Sequence, residues 1–550
     1  MEPLPFAPGE LEATYRTRPK RSSRARSNLR IVAERPPAPI VQPLPGARPL
    51  AHIVGDMERD GRLVHRTIVP ERSGSVAELT SPLPDELLRC LPPGGLWKHQ
   101  AEAINRIRQG ESVAIATGTA SGKSLCYQLP IAESVLTGLR SSTSLLLFPT
   151  KALAQDQLRS IEDLQVPGLV ATTYDGDTDT DQRRWAKNNA NVVLTNPEML
   201  HNGIVPQHRA WATFFKRLRY IVIDELHVLR GIFGSHVAHL LRRLLRIANL
   251  YGSHPTFVFT SATIGKPAEL AQELTGTPVT AIDDDCSPRG PRTVALVQPA
   301  TIDVERGQRQ SPATEAIRIG AELAEGGRRA IIFCPSRAMT ERVAAGVAHA
   351  VDPELADTIR PYRSGYLASE RREIEEELAT GKIRVVVATS ALELGVDIGG
   401  LDATVLCGFP GTIASLWQQV GRAGRAAEES LAVIIAGDNQ MDQWFVRNPD
   451  QLFLRPPEPA VINVTNPHIM DPHLCCAAYE LPLGPTDGDR WAQLDDGIRR
   501  LVVSDQLGIR VDRSRLPLAF WDGRGVPFSR VGLRSASGGE VKIVNAKGEP

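Results

Sequence analysis

Between residues 96 and 440, short apolar runs alternate with longer stretches whose apolar positions recur every three or four residues. The runs are SVAIA ending at Ala116, SLLLF at Phe148, VVLT at Thr195, YIVI at Ile223 and FVFT at Thr260. Continuous apolar runs of this length read as buried parallel strands, and the stretches between them as crossover helices. After Gly231 the helical period is clear, because Phe233, Val237, Leu240, Leu241, Leu244, Leu245 and Ala248 fall on one face. That face predicts a helix packed on a sheet.

A polar stretch bearing Pro and Gly, Ile282–Thr293, interrupts the rhythm. It resumes with AIIFC (330–334), RVVVA (384–388), TVLC (404–407) and LAVII (431–435). Two consecutive α/β units joined near residue 285 are therefore expected, spanning 96–284 and 285–440. An N-terminal extension (51–95) precedes them. An accessory C-terminal region (441–550) follows, entered through the Pro-rich connection Arg455–Pro459. Residues 1–50 are Pro-rich, and seven of the fifteen from Arg16 to Arg30 are basic with no acid among them. That segment reads as a disordered, solvated tail.

Composition narrows the class. The chain has 550 residues, 42 % of them hydrophobic and 5 % aromatic, which excludes a small module and suits a soluble multi-domain protein. The 63 Lys+Arg exactly offset by 63 Asp+Glu hide any local basic surface, so nucleic-acid binding has to be argued from position. No run approaches the ~18 apolar residues of a membrane span, and a cytoplasmic location without membrane contact is expected. Seven scattered cysteines without a C-x-x-C pair argue against a disulfide framework or a zinc ribbon. The tandem Cys475–Cys476, with His468 and His473 nearby, lacks zinc-site spacing and reads as core.

Three motifs carry chemistry. Between the strand ending at Ala116 and a helix through Leu125–Leu136 stand Thr117, Gly118, Thr119, Ala120, Ser121, Gly122, Lys123 and Ser124. This matches the phosphate loop G-x-x-x-x-G-K-[ST] except that Thr117 takes the first Gly position. Backbone N–H groups would cradle phosphates, Lys123 would reach the β- and γ-phosphates, and Ser124 would hold Mg²⁺. At the end of YIVI, Asp224 and Glu225 have no packing reason to be adjacent at a buried strand end. Asp224 would hold Mg²⁺ and Glu225 would polarise the water that attacks the γ-phosphorus. In the second unit, Gln418-Gln-Val-Gly-Arg-Ala-Gly-Arg425 presents Arg422 and Arg425 with little obstruction between them. Arg425 would serve as an arginine finger across the gap, with Arg422 beside it and Gln418 near the γ-phosphate or the attacking water.

The ordered set of Gln100, the phosphate loop, PTKAL (149–153), TNPEML (195–200), DELH (224–227), Ser261-Ala-Thr263, FCPSR (333–337), ATSALELGVDI (388–398) and QQVGRAGR (418–425) resembles the motif series of superfamily II helicases. YRSGY (362–366) and NPHIMDPHLCCAAYELPL (466–483) are similar to the bacterial mitomycin-repair and mycobacterial SftH-type branch, relatives of the fungal RecQ-like helicases. The resemblance implies two tandem RecA-like parallel-sheet domains with a smaller helical or winged-helix-like C-terminal region. It also implies an ATP- and Mg²⁺-dependent, 3′ to 5′ DNA translocase or helicase acting in repair on single-stranded or tailed duplex DNA, as a monomer. Gln100 would read the adenine edge beside Trp97, and Ser261 and Thr263 would couple hydrolysis to motion. Thr150, Lys151, Thr195, Arg337, Ser364 and Thr389 would touch the strand backbone, and Gly395 and Asp397 would approach the nucleotide. Longer members of the branch end in a four-cysteine metal module that has no counterpart up to Pro550, so the accessory region is expected to be truncated. Ala120 replaces a common Gly at the cost of one methyl. An RNA-remodelling ATPase would share every nucleotide-site residue. A non-enzymatic nucleic-acid scaffold is the remaining alternative, opposed by the intact Lys123, Asp224, Glu225 and Arg425.

Overall fold

The computed structural model describes residues 46–138, 141–303, 305–363, 365–393, 400–424, 428–511 and 515–535. The tail to residue 45, Ser364, Gly395, Asp397 and Arg425 lie outside the described residues. The first strand, β1 (Leu63–Val69), belongs to a sheet completed much later in the chain. The first lobe is built on β2 (Val113–Ala116), β3 (Thr143–Leu147), β4 (Ala171–Thr173), β5 (Val192–Thr195), β6 (Leu218–Ile223), β7 (Thr256–Ser261) and β8 (Thr280–Ile282). These form one seven-stranded sheet in the order β4-β5-β3-β6-β7-β2-β8, with every neighbouring pair parallel. Every residue of β2, β3, β5 and β7 is buried, which is why these strands appear as unbroken apolar runs. The helix Gly231–Leu250 lays Val237, Leu240, Leu241 and Leu244 into the core beneath this sheet.

The second lobe adds β9 (Arg292–Val297), a small hairpin β10 (Thr301–Asp303) and β11 (Gln308–Arg309), then β12 (Ala330–Phe333), β13 (Ile359–Tyr362), β14 (Val385–Ala388), β15 (Ala403–Cys407) and β16 (Ser430–Ile435). Its sheet runs β1-β9-β16-β15-β12-β14-β13, parallel throughout except that β1 pairs antiparallel with β9. Residues 63–69 of the expected N-terminal extension are thus an edge strand of the second lobe. Burial of Arg62 against Glu315 anchors that edge.

The chain crosses between the lobes along paired segments. Arg72 N–H donates to Arg289 O at 2.8 Å, Arg289 N–H donates back to Arg72 O at 2.9 Å, and Ser75 N–H donates to Cys286 O at 2.9 Å. The hinge is therefore a short antiparallel ladder rather than a single linker. A third crossing brings Val461 back to the first lobe, where its carbonyl accepts from Gly231 N–H at 2.7 Å.

The C-terminal region contains the helices Pro467–Glu480 and Leu494–Val503 and the antiparallel pair β17 (Leu507–Val511) and β18 (Pro517–Trp521). It is fastened to the first lobe by a buried polar cluster around Arg243, whose guanidinium pairs with the Glu480 carboxylate. Arg243 also donates to His201 Nδ1 at 2.9 Å and to His473 Nδ1 at 3.2 Å. Because His473 Nδ1 accepts, its proton is on Nε2 and is donated to His236 Nδ1 at 3.0 Å. His236 in turn donates to Ser535 O at 3.1 Å. Cys476 is buried beside this cluster and Cys475 in the hydrophobic core of the C-terminal region, and burial pushes both thiols up to about 12. They pack as core residues.

Candidate nucleotide site between the lobes

The loop 117–122 leaves the carboxyl end of β2 and feeds the helix Lys123–Thr137. Gly122 sits at φ +75°, and a Cβ there would lie 2.4 Å from Gln100 Nε2, so only glycine fits. Ala120 is also left-handed, at φ +58°, so replacing glycine costs backbone strain as well as adding a methyl. Thr117 and Ser121 hydroxyls lie 2.7 Å apart, and Ser121 donates to Gly118 O at 2.9 Å. Lys123 Nζ donates to Thr117 O at 3.0 Å and to Gly118 O at 2.6 Å. Burial lowers the Lys123 pKa, and the carboxylates of Glu225, Asp224 and Asp285 partly restore it.

Asp224 and Glu225 follow β6. The Asp224 carboxylate accepts from the Thr260 hydroxyl and, at 3.0 Å, from Glu225 N–H. Burial first, and the neighbouring Glu225 second, push its pKa upward. Glu225 sits at φ +57°. Burial raises its pKa too, opposed by Lys123 and by Arg422 of the other lobe. His227 Nε2 accepts from Gln418 Nε2 at 2.7 Å, so its proton is on Nδ1, 3.2 Å from Ser261 Oγ. Burial holds the His227 pKa down to about 4, so the ring is neutral at pH 7.

The lobes also meet at the phosphate loop, where Thr119 Oγ1 donates to Gly421 O at 3.0 Å. Arg422 donates to Glu393 O. A cavity of about 980 Å³ lies between these walls, lined by the phosphate loop, Asp224, Glu225, Thr263, Gln418 and Arg422. The structure thus brings together Lys123, Ser124, Asp224, Glu225, Gln418 and Arg422.

Other expected residues have different placements. Gln100 spends its amide on the backbone: Oε1 accepts from Trp97 N–H and Nε2 donates to Gly122 O, both at 2.9 Å. Thr150 caps the helix Lys151–Asp163 by accepting from Leu153 N–H. Lys151 pairs with Asp177 at 2.7 Å. Thr195 is buried and donates to Tyr174 O at 2.6 Å. Arg337 is exposed at the start of the helix Arg337–Ala350, and Thr389 accepts from Ala391 N–H. All four segments lie at the carboxyl ends of parallel strands, where open α/β sheets bind ligands.

Four contributors escaped the sequence reading: Thr260, His227, His99 and Asp285. Cys286 N–H donates to His99 Nδ1 at 3.3 Å, so Nε2 carries the proton toward Ser121 O at 3.1 Å. Asp285 accepts from Gly118 N–H at 3.2 Å and pairs with Arg72 at 2.9 Å. His99 and Asp285 tie the phosphate loop to the hinge. DELH contained His227 in plain view, but nothing in its spacing identified Gln418 as its partner.

Two parallel-sheet lobes with a phosphate loop and paired carboxylates on one wall and arginine-bearing residues on the other define the class of two-lobed helicase cores. Residues 97–271 match the DEAD/DEAH box helicase family, and residues 314–427 match the helicase conserved C-terminal domain. The ATP-dependent helicase YprA of Bacillus subtilis is 40 % identical over 507 residues, covering 90 % of this chain and 66 % of that protein. The ATP-dependent helicase HRQ1 of Saccharomyces cerevisiae is 38 % identical over 504 residues, covering 88 % of this chain and 46 % of that protein. The crystal structure of helicase MrfA bound to DNA and AMPPNP superposes with a TM-score of 0.83 at 39 % identity, covering 89 % of this chain and 68 % of that one. The chain belongs to the superfamily II DNA helicases, in the branch of MrfA. It spans about two thirds of the Bacillus protein and just under half of the yeast protein.

Proposed function

We propose that the chain is an ATP-driven motor that moves 3′ to 5′ along single-stranded DNA and opens tailed duplexes, with a role in DNA repair. The observation that carries this reading is the composite pocket, in which Thr119, Glu225 and His227 of one lobe meet Gly421, Arg422 and Gln418 of the other. Both walls belong to one chain, which supports action as a monomer. Support for ATP and DNA comes from MrfA, solved with DNA and AMPPNP. No helix among the described residues is long and apolar enough to cross a membrane, and a cytoplasmic, nucleoid-associated location is part of the same proposal.

The residues fit Mg²⁺: Asp224 is a buried oxygen donor whose pKa is driven up by burial and by a second carboxylate, and Ser124, in the first turn of the helix Lys123–Thr137, lines the same cavity. The ion would be held by Ser124 and Asp224 and would supply charge neutralisation of the phosphates. Glu225 takes the proton of the attacking water as the bond from the γ-phosphorus to the departing ADP oxygen breaks. Lys123 and Arg422, with Arg425 in the role implied by resemblance, hold the developing charge. Loss of the γ-phosphate frees the lobes to part, and the His227–Gln418 contact breaks with them. Thr150, Lys151 and Thr195 on one lobe, and Arg337, Ser364 and Thr389 on the other, alternate in gripping the strand backbone. Gln100 and Trp97, with Gly395 and Asp397 from the second lobe, complete the nucleotide's surroundings.

The test is unwinding of 3′-tailed and 5′-tailed duplexes with ATP, run beside ATPase assays with matched DNA and RNA oligonucleotides. Opening of the 3′-tailed duplex and stronger stimulation by DNA are expected. Opening of only the 5′-tailed duplex reverses the polarity, stronger stimulation by RNA makes the chain an RNA-remodelling ATPase, and no ATPase under any condition leaves a scaffold.

A further inference from the structure

The helix Thr180–Asn189 places Arg183, Arg184 and Lys187 at i, i+1 and i+4, on one side. With Tyr174, Asn202 and Gln207 they line a hollow of about 470 Å³ on the first lobe. Arg183 donates to Asp175 O at 3.1 Å, and its guanidinium lies 5.8 Å from the centre of the Tyr174 ring. Its Nε is buried without a hydrogen-bond partner among the described residues. Lys187 Nζ donates to Gln207 Oε1 at 3.4 Å and lies 5.8 Å from the centre of the Trp211 ring. Rings and neutral oxygens aim these charges without neutralising them.

Four nearby carboxylates are engaged elsewhere. Asp175 accepts from Asp177 N–H, Asp179 caps its own helix by accepting from Gln182 N–H, Asp177 pairs with Lys151, and Glu198 pairs with Arg534. Among the described residues, Arg183, Arg184 and Lys187 form no ion pair. Three like charges gathered in this way repel one another, and an anion is the partner that relieves them.

Continuity selects the anion. The loop carrying Tyr174–Asp177 has Lys151 on one side, through the 2.7 Å pair with Asp177, and Arg183 on the other, through Asp175 O. Thr195 donates to the same loop at Tyr174 O. A strand gripped at Lys151 therefore runs next to the hollow. We propose that Arg183, Arg184 and Lys187 bind backbone phosphates of the single strand beyond Lys151, extending its footprint on the first lobe. This rests on the strand-motor reading above. Phosphates spaced along a polymer suit a shallow, wide cationic hollow served by side chains rather than by a glycine-rich nest.

The test measures affinity of the full chain for oligothymidylates lengthened one nucleotide at a time, each over a range of salt. For the wild type, a step of about tenfold in affinity is expected at the length that reaches the hollow. There the slope of log affinity against log salt should steepen by about 0.7 per phosphate engaged. Arg183→Ala/Arg184→Ala/Lys187→Ala should lose the step and the added slope, and Arg183→Lys/Arg184→Lys should keep both. A triple-alanine variant that retains the step overturns the proposal. So does a lysine variant that loses as much as the alanine one, because charge would then not be what matters. A wild-type chain that binds no oligothymidylate of any length defeats the strand-motor reading itself and this proposal with it.

Discussion

Glu225 occupies left-handed backbone at φ +57°, a conformation that costs a non-glycine residue about 1–3 kcal/mol. The two carboxylates are neighbours in sequence yet have different partners. Asp224 is held by Thr260 and by Glu225 N–H, while a Glu225 oxygen lies 3.4 Å from His227 Nδ1 and the carboxylate feels Lys123 and, across the cleft, Arg422. Glu225→Gln keeps the shape and removes the base, so ATP binding should persist while turnover falls by about 10²–10⁴. Nucleotide binding by fluorescence, beside single-turnover hydrolysis, separates the two effects. Lys123→Ala in the same assays should weaken binding as well, since Lys123 is the loop's buried cation. Normal hydrolysis by the Gln variant would remove Glu225 from its role.

Among elements, the end of β6, the end of β7 and the helix Ile413–Val420 are joined through the chain Gln418–His227–Ser261. A neutral His227 is essential to it, because Nε2 must accept from Gln418. With its pKa held down to about 4 by burial, the ring stays neutral and the contact persists through the neutral pH range. Gln418→Ala removes one hydrogen bond worth about 1 kcal/mol net. Strand-stimulated ATPase should drop about five- to tenfold, while the KM for ATP changes much less. Steady-state kinetics with and without oligothymidylate would show it, and an equal fall in both conditions would place Gln418 outside the coupling. The hinge ladder at Arg72–Arg289 belongs to the same scale. Through Asp285 and His99 it touches the phosphate loop directly, so loop occupancy and lobe angle share a mechanical connection.

For the whole molecule, the buried histidines fastening the C-terminal region to the first lobe set an acid limit. Burial and Arg243 hold His201 down to about 3, and His473 and His239, which accepts from the Trp491 indole N–H at 3.0 Å, also lie well below their ordinary value. A depressed folded pKa means that the unfolded chain binds more protons below pH 6.5, so stability is complete above that pH and declines as pH falls. Each histidine that stays neutral costs about 1.4 kcal/mol per pH unit in that range. The melting temperature should therefore fall steeply from pH 6.5 to pH 5, and replacing His201 with Gln should flatten the fall. A melting temperature constant to pH 5 would contradict the directed chain from Arg243 through His473 to His236.

The two sheets, the phosphate loop, the acidic pair and the arginine-bearing turn were legible in the sequence, because buried strands must be continuously apolar and phosphate chemistry demands particular residues at short spacing. Those are local constraints, satisfied within a dozen residues. The antiparallel placement of β1 was not legible, because an edge strand is half exposed and its partner, β9, lies far along the chain. Nor were the roles of His99, Asp285, His227 and Thr260, since each depends on which atom folding brings within about 3 Å, and side-chain type does not reveal that. The sequence by itself determined which chemistry is available; the tertiary structure decided which residues meet across the cleft, because hydrogen bonds are short and directional while apolar burial is neither.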